Sequence, residues 1–402
     1  MSRLTILAIA LAACNPSNNN GGADGGGSGS NMHPADAAPA SSGYALTAQN
    51  FGLAYSVSLT VGGQQFQVIT DTGSTSLGIA SATCSSCGVA PEYTPGSTAV
   101  DQHSTSTSQY GDSSMWTGEN YADKVALTGD SDAVTMRFGA MTSQDGFFQQ
   151  GETDEGILGF GGSALAVDGT DAYTDKRTPG QFAFQLCPDD GTLWLGQADG
   201  SHESAAPQFA PMDTSEPYLM LDVSSASVGS TSIGLSGAAV MDTGTSIMVL
   251  STTVANKFVS AVNAAGFSTI FGQAVVASTT DLNCYDPGTH TRAQIDAALP
   301  PLMVTLPKSG GGSFTVMASA SETYMMPIEG MYCFGVATVS GIPVTILGDA
   351  FLRGFVTTFD LQNQQIGLAS QVGCALPNEA IPPDHVTHRP YRLGHPPAAT
   401  AL

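Results

Sequence analysis

Short apolar runs, broken by glycine and small polar residues, recur along the chain. Tyr55-Ser-Val-Ser-Leu-Thr-Val61 alternates apolar and polar side chains, which predicts a strand with one face on a core. Phe66–Thr70, Leu193–Leu195, Tyr218–Val223, Val344–Leu347 and Phe355–Phe359 are short and largely apolar, the pattern of buried strands. Glycine, asparagine or aspartate stands at most of the breaks, as tight turns require. One stretch departs from this. Thr252–Ala265 (TTVANKFVSAVNAA) spaces its apolar residues as an amphipathic helix does and runs into Gly266, a helix-terminating residue. The pattern predicts an all-β class: mostly β, with few short helices.

The ends read differently. Residues 1–14 (MSRLTILAIALAAC) place one arginine before an apolar stretch and finish on small residues and Cys14, the layout of an export signal. Leu11-Ala-Ala-Cys14 resembles a bacterial lipobox, which implies acylation of the Cys14 thiol and a lipid anchor to a membrane. Asn15 in the next position implies, by the same resemblance, an outer-membrane lipoprotein or a cell-surface or periplasmic location. Residues 15–43 are rich in Gly, Asn and Ser and hold almost nothing that packs, so they are expected to be a flexible linker. Residues 375–402 carry six prolines with His385, His388, His395, Arg389 and Arg392, and are expected to form a disordered tail.

Length and charge narrow the function. A chain of 402 residues is too long for one ordinary domain, so two lobes are expected, 44–203 and 204–374. The hydrophobic fraction of 42% excludes global disorder, and no apolar run reaches the ~18 residues of a membrane-spanning helix. With 34 acids against 11 Lys and Arg, the net charge of −23 repels phosphate backbones and excludes nucleic acid as a partner. Of the seven cysteines, Cys14 is the odd one. Cys84-Ser-Ser-Cys87 follows a strand and loop in a chain expected to be exported, and no second Cys/His pair has zinc spacing, so a small-loop disulfide is expected rather than a metal site. The histidines are scattered without ligand spacing; no metal and no cofactor is expected.

A long-range repeat carries the chemistry. Phe66-Gln-Val-Ile-Thr-Asp71-Thr72-Gly73-Ser74 and Ala238-Ala-Val-Met-Asp242-Thr243-Gly244-Thr245 are apolar strands running into the same turn. Each is followed much later by Ile-Leu-Gly, at 157–159 and 346–348. Matching motifs in matching order predict two lobes of similar build. If the turns face each other, Asp71 and Asp242 meet, and two adjacent carboxyls share a proton over an acidic range. Such a pair can hold a water, the ionised member removing its proton while the other hydrogen-bonds a substrate carbonyl. Ser74 and Thr245, three residues beyond each aspartate, can donate to the outer carboxylate oxygens.

Asp71-Thr-Gly-Ser74 and Asp242-Thr-Gly-Thr245 resemble the two signatures of the pepsin-like aspartic peptidases. Tyr110-Gly111-Asp112-Ser113-Ser114 resembles the flap hairpin of that family, with Tyr110 as its tyrosine. Glu155–Gly159, Phe182–Phe184, Gly191–Gly196 and Ile346–Arg353 resemble further family segments, so the likeness spans about residues 44–374. It implies a bilobal β fold with a cleft between the lobes, and an acid endopeptidase acting on extended polypeptides as a monomer. Asp71 and Asp242 would be catalytic, with Ile79, Ile157, Tyr218 and Ile247, along with Phe147, Phe148 and Met248, as apolar subsite candidates. It also implies the disulfides Cys284–Cys333 and, for the remaining pair, Cys187–Cys374. Three departures stand out. Gly78 occupies the position of the tryptophan that usually bonds the flap tyrosine, with Trp116 as a candidate substitute. No basic inhibitory segment precedes Tyr44, so no zymogen step is expected. Ser114 takes the place of a frequent flap glycine, a change expected to stiffen the hairpin. The change at Gly78 also motivates a rival reading, a catalytically silent polypeptide-binding or inhibitor protein. A lipid-anchored structural surface protein is the other.

Overall fold

The computed structural model of the chain describes residues 3–5, 43–49, 52–148, 153–178, 180–277, 281–338 and 344–374. Apart from residues 3–5 and 43, the expected signal with Cys14, the linker and the tail lie outside the described residues. Arg3–Thr5 is a short strand antiparallel to Asp281–Tyr285.

Strands dominate, as the apolar pattern predicts, and the two copies of the repeat fold alike. In the first, Gln64–Asp71 runs parallel to Gly156–Gly159, with Asp71 opposite Gly159. Leu77–Ala80, just past the Asp-Thr-Gly turn, lies antiparallel to the same short strand and parallel to Val134–Asp145. In the second, Gly237–Met241 runs parallel to Thr345–Leu347. Met248–Val249 lies antiparallel to that strand and parallel to Val336–Ala337.

The Ile-Leu-Gly motif has a steric cause in both copies. A Cβ on Gly159 would fall 2.3–2.4 Å from the Thr75 backbone, and one on Gly348 would fall 2.1 Å from the Thr245 carbonyl oxygen. Only glycine lets the Asp-Thr-Gly turn lie this close. The turn is then bonded to its neighbour: Gly161 N–H donates to the Ser74 carbonyl at 2.7 Å, and Asp349 N–H to the Thr245 carbonyl at 2.8 Å.

A sheet built from both halves joins them. Its order runs Tyr44–Gln49, Asp190–Trp194, Gln181–Leu186, Phe355–Asp360, Gln365–Ser370, Gln208–Asp213, all antiparallel. At its centre Phe182 opposes Phe359, and the rings stack with centroids 4.9 Å apart. Cys187, one residue beyond Gln181–Leu186, is joined to Cys374, which ties the last described residue to this sheet. The other disulfides are Cys84–Cys87 and Cys284–Cys333, the latter across paired strands.

The expected helix spans Thr252–Ala264 and buries Ala255, Phe258, Ala261 and Val262. Ser251 caps its start by accepting from Val254 N–H, and Gly266 follows its end in the left-handed conformation, φ +99°.

Candidate active site

Each aspartate sits where a buried strand runs into a tight turn, and each turn is built by its own residues. Gly73 N–H donates to Asp71 Oδ1 at 2.8 Å and Gly244 N–H to Asp242 Oδ1 at 2.9 Å. The Ser74 hydroxyl donates to Asp71 Oδ2, and the Thr245 hydroxyl to Asp242 Oδ2 at 2.6 Å. The two sites are thus near copies, one supplied by serine and one by threonine.

The threonines between lock the turns to each other. Thr72 N–H donates to Thr243 Oγ1 at 3.1 Å, and Thr243 N–H to Thr72 Oγ1 at 2.9 Å. Each hydroxyl then donates onward across the junction, Thr72 to the Met241 carbonyl at 2.7 Å and Thr243 to the Thr70 carbonyl at 2.9 Å. All of these groups are buried, so loss of one partner strands another without water. This reciprocal grip forces the carboxyls together: Asp71 and Asp242 are 0% exposed and within hydrogen-bonding reach of each other.

Burial raises the affinity of both carboxyls for a proton. For Asp71 the charge of Asp242 adds to it, while Ser74 and Gly73 oppose by donating to the ionised form. For Asp242 the opposing donors are Thr245 and Gly244. Two groups this close titrate as a unit that keeps one proton well above the ordinary carboxylate range.

A third carboxyl that the motif reading passes over lies near enough to the pair to feel its charge. Asp349 opens the short helix Asp349–Leu352, is buried, and has no hydrogen-bond partner on either oxygen. Burial first, and then the charge of Asp242, raise its affinity for a proton, against the opposing charge of buried Arg353. The available signal was an asymmetry: Gly348 is followed by an acid where Gly159 is followed by Phe160.

The hairpin of Val100–Gln109 and Met115–Leu127 carries Tyr110 at its tip. Tyr110 is buried and lies near enough to Asp71 to feel its charge. Its hydroxyl accepts from the Trp116 indole N–H at 2.9 Å, the substitution considered for Gly78. Gly111 is half-buried and Asp112 exposed, and Asp112 Oδ1 accepts from Ser114 N–H and hydroxyl at 2.9 and 2.6 Å. The residue held left-handed is Ser113, φ +75°, one position before Ser114.

The apolar candidates divide. Ile157 and Phe148 share a cluster with Tyr110 and Trp116, and the Phe147 ring lies 5.4 Å from that of Tyr110. Ile79, Ile247 and Met248 belong instead to the main core, and half-buried Tyr218 packs on its edge.

A β-rich molecule with two like turns clasping paired carboxyls under a tyrosine-tipped hairpin defines an aspartic hydrolase of the two-lobed kind. Comparison with known proteins agrees. The family model described as "Eukaryotic aspartyl protease" matches residues 54–371, and the chain belongs to this pepsin-like aspartic protease family. It is 31% identical over 336 residues to an aspartic protease of Phaffia rhodozyma, covering 81% of this chain and 78% of that one. To cathepsin E of Rattus norvegicus it is 30% identical, covering 79% of each, and to pepsin A of Bos taurus 29%, covering 76% and 80%. The chain is an aspartic-type protease, and its substrates are polypeptides.

Proposed function

We propose that Asp71 and Asp242 are the catalytic dyad of an acid endopeptidase, and that they activate one water between them. The ionised carboxylate takes a proton from the water as its oxygen attacks the scissile carbonyl carbon. The protonated partner donates to the carbonyl oxygen, giving a tetrahedral diol, and a proton then passes to the departing amine nitrogen. No covalent enzyme intermediate forms. The observation that carries this reading is the reciprocal Thr72/Thr243 grip, which leaves two buried carboxyls no way to separate. Aspartic proteases are the standing example of a proton shared in this way.

Both carboxyls are buried in this conformation, so the Tyr110 hairpin must lift for an extended chain to enter. Ile157, Phe147 and Phe148, beside Tyr110, are the side chains best placed to receive an apolar substrate group. We take the lobes as 44–203 and 204–374, with the dyad at their junction, and the enzyme as a monomer. Three disulfides favour export to an oxidising compartment. The lipobox-like Leu11–Cys14 and the linker after it favour an anchored bacterial lipoprotein.

Incubation with an acid-denatured protein at pH 3–5 tests the assignment. Internal cleavage is expected, abolished by a peptide bearing a hydroxylated tetrahedral carbon in place of the scissile carbonyl and untouched by chelators. Folded protein that binds this inhibitor yet cleaves nothing would instead be a silent binding protein.

A further inference from the structure

The strand Val134–Asp145 gives way to Gly146, left-handed at φ +66°, and the chain turns there into Phe147 and Phe148. The N–H groups of both phenylalanines converge on one acceptor, the Gln144 side-chain oxygen, at 2.9 and 3.1 Å. Successive N–H groups aimed at one point form a small concave donor site, and Gln144 fills it from its own strand. The other end of the same amide reaches away, Nε2 donating to the Ser86 carbonyl at 2.7 Å. The Gln144 main chain is tied to that residue as well: its N–H donates to the Ser86 hydroxyl at 3.1 Å, and its carbonyl accepts from the hydroxyl at 3.4 Å. Ser86 lies inside the loop that the Cys84–Cys87 disulfide closes. One orientation of the amide satisfies both ends, oxygen toward the two donors and nitrogen toward the carbonyl.

The two rings held this way meet edge to face with centroids 4.9 Å apart, Phe148 buried and Phe147 half-buried. Phe148 shares its apolar cluster with Ile157, Cys84 and Cys87. The disulfide loop therefore meets the aromatic pair twice, by packing and through the glutamine amide. We propose that Gln144 is a positioning residue for substrate selection: its side-chain amide ties the Cys84–Cys87 loop to the Phe147–Phe148 backbone, and so fixes the aromatic wall that receives a large apolar side chain beside the scissile bond. The inference rests on those rings lining the cleft and on Asp71 and Asp242 being the dyad. Gln144 acts through two backbone N–H groups and not on the reacting atoms. Its loss changes which peptides bind and leaves the chemical step alone.

Steady-state kinetics on two extended peptides that differ only in carrying Phe or Ala beside the scissile bond, tried on each side of it, test this, with thermal melts of each variant. Gln144→Met keeps the length of the side chain and removes both polar ends. It is expected to raise KM for the Phe peptide about tenfold, the order that lost hydrogen bonds imply, with kcat within about twofold of wild type. The Ala peptide leaves the aromatic wall unfilled and should keep both constants within about twofold. Cys84→Ala with Cys87→Ala should give the same selective loss, and adding Gln144→Met to that pair should cost little more. Losses that multiply would show that the loop does not act through Gln144. An equal fall for both peptides would make the glutamine merely structural, and an unchanged preference for Phe would leave it no part in selection; either result overturns the proposal. If wild type cleaves both peptides alike while Asp71→Asn cleaves neither, this inference fails alone. If Asp71→Asn retains activity, the dyad reading fails with it.

Discussion

Asp71→Asn and Asp242→Asn are each expected to lose at least about a thousandfold in kcat while remaining folded. An amide has the shape of the carboxyl and can keep the contacts from Gly73 and Ser74, or from Gly244 and Thr245. It cannot take a proton from water or pass one to a substrate. Because the pair acts as a unit, the double variant should be scarcely worse than either single one. Removing a buried, shared charge costs the fold little, so the melting temperature should hold or rise. Turnover measured beside thermal melts checks this; a well-folded variant retaining a tenth of wild-type kcat would contradict it.

The second large effect concerns stability. A carboxyl whose folded pKa lies above its unfolded one contributes stability that is complete below the ordinary range near 4 and is lost as pH rises through the folded value. Burial pushes Asp154 up to about 6, roughly two units or about 3 kcal/mol lost on going to neutral pH. Asp71 and Asp349, raised further by burial and by the charge of Asp242, act in the same direction. Asp130 and Asp171 run the other way: burial lifts them, but hydrogen bonds from Arg177 and Arg137 outweigh it and hold both low. Those are partly exposed pairs, worth little by comparison. The net charge of −23 adds self-repulsion as the acids ionise. Melting is therefore expected on the order of 10 °C lower at pH 7 than at pH 4. A melting temperature that is flat or rising over this range would contradict the burial of these groups.

Much of this was legible in the residues because the motifs are local and each has one steric or chemical cause. Asp-Thr-Gly read as a turn bearing an acid, and Gly266 as a helix end, since a few neighbouring residues decide both. The second Ile-Leu-Gly was visible as a repeat, but its reason, the close pass of Thr245 against Gly348, is a contact across about a hundred residues that no local pattern displays. Asp349 was hidden for the same cause: an acid beside a strand end reads as solvated until the fold closes over it. Ile79 and Ile247 read as pocket candidates because apolar side chains near an active turn serve core and subsite alike, and only packing separates the two. Gly78 read as a loss. With Trp116 in view it is the space that a relocated indole needs, since a Cβ at Gly78 would fall 2.9 Å from the ring.

The central claim is that one proton is shared between two carboxyls around a single water, and the pH dependence of kcat/KM tests it most directly. On an extended peptide with apolar residues flanking the scissile bond, a bell is expected with both limbs on the acid side of neutral. A maximum above pH 8 would contradict the account.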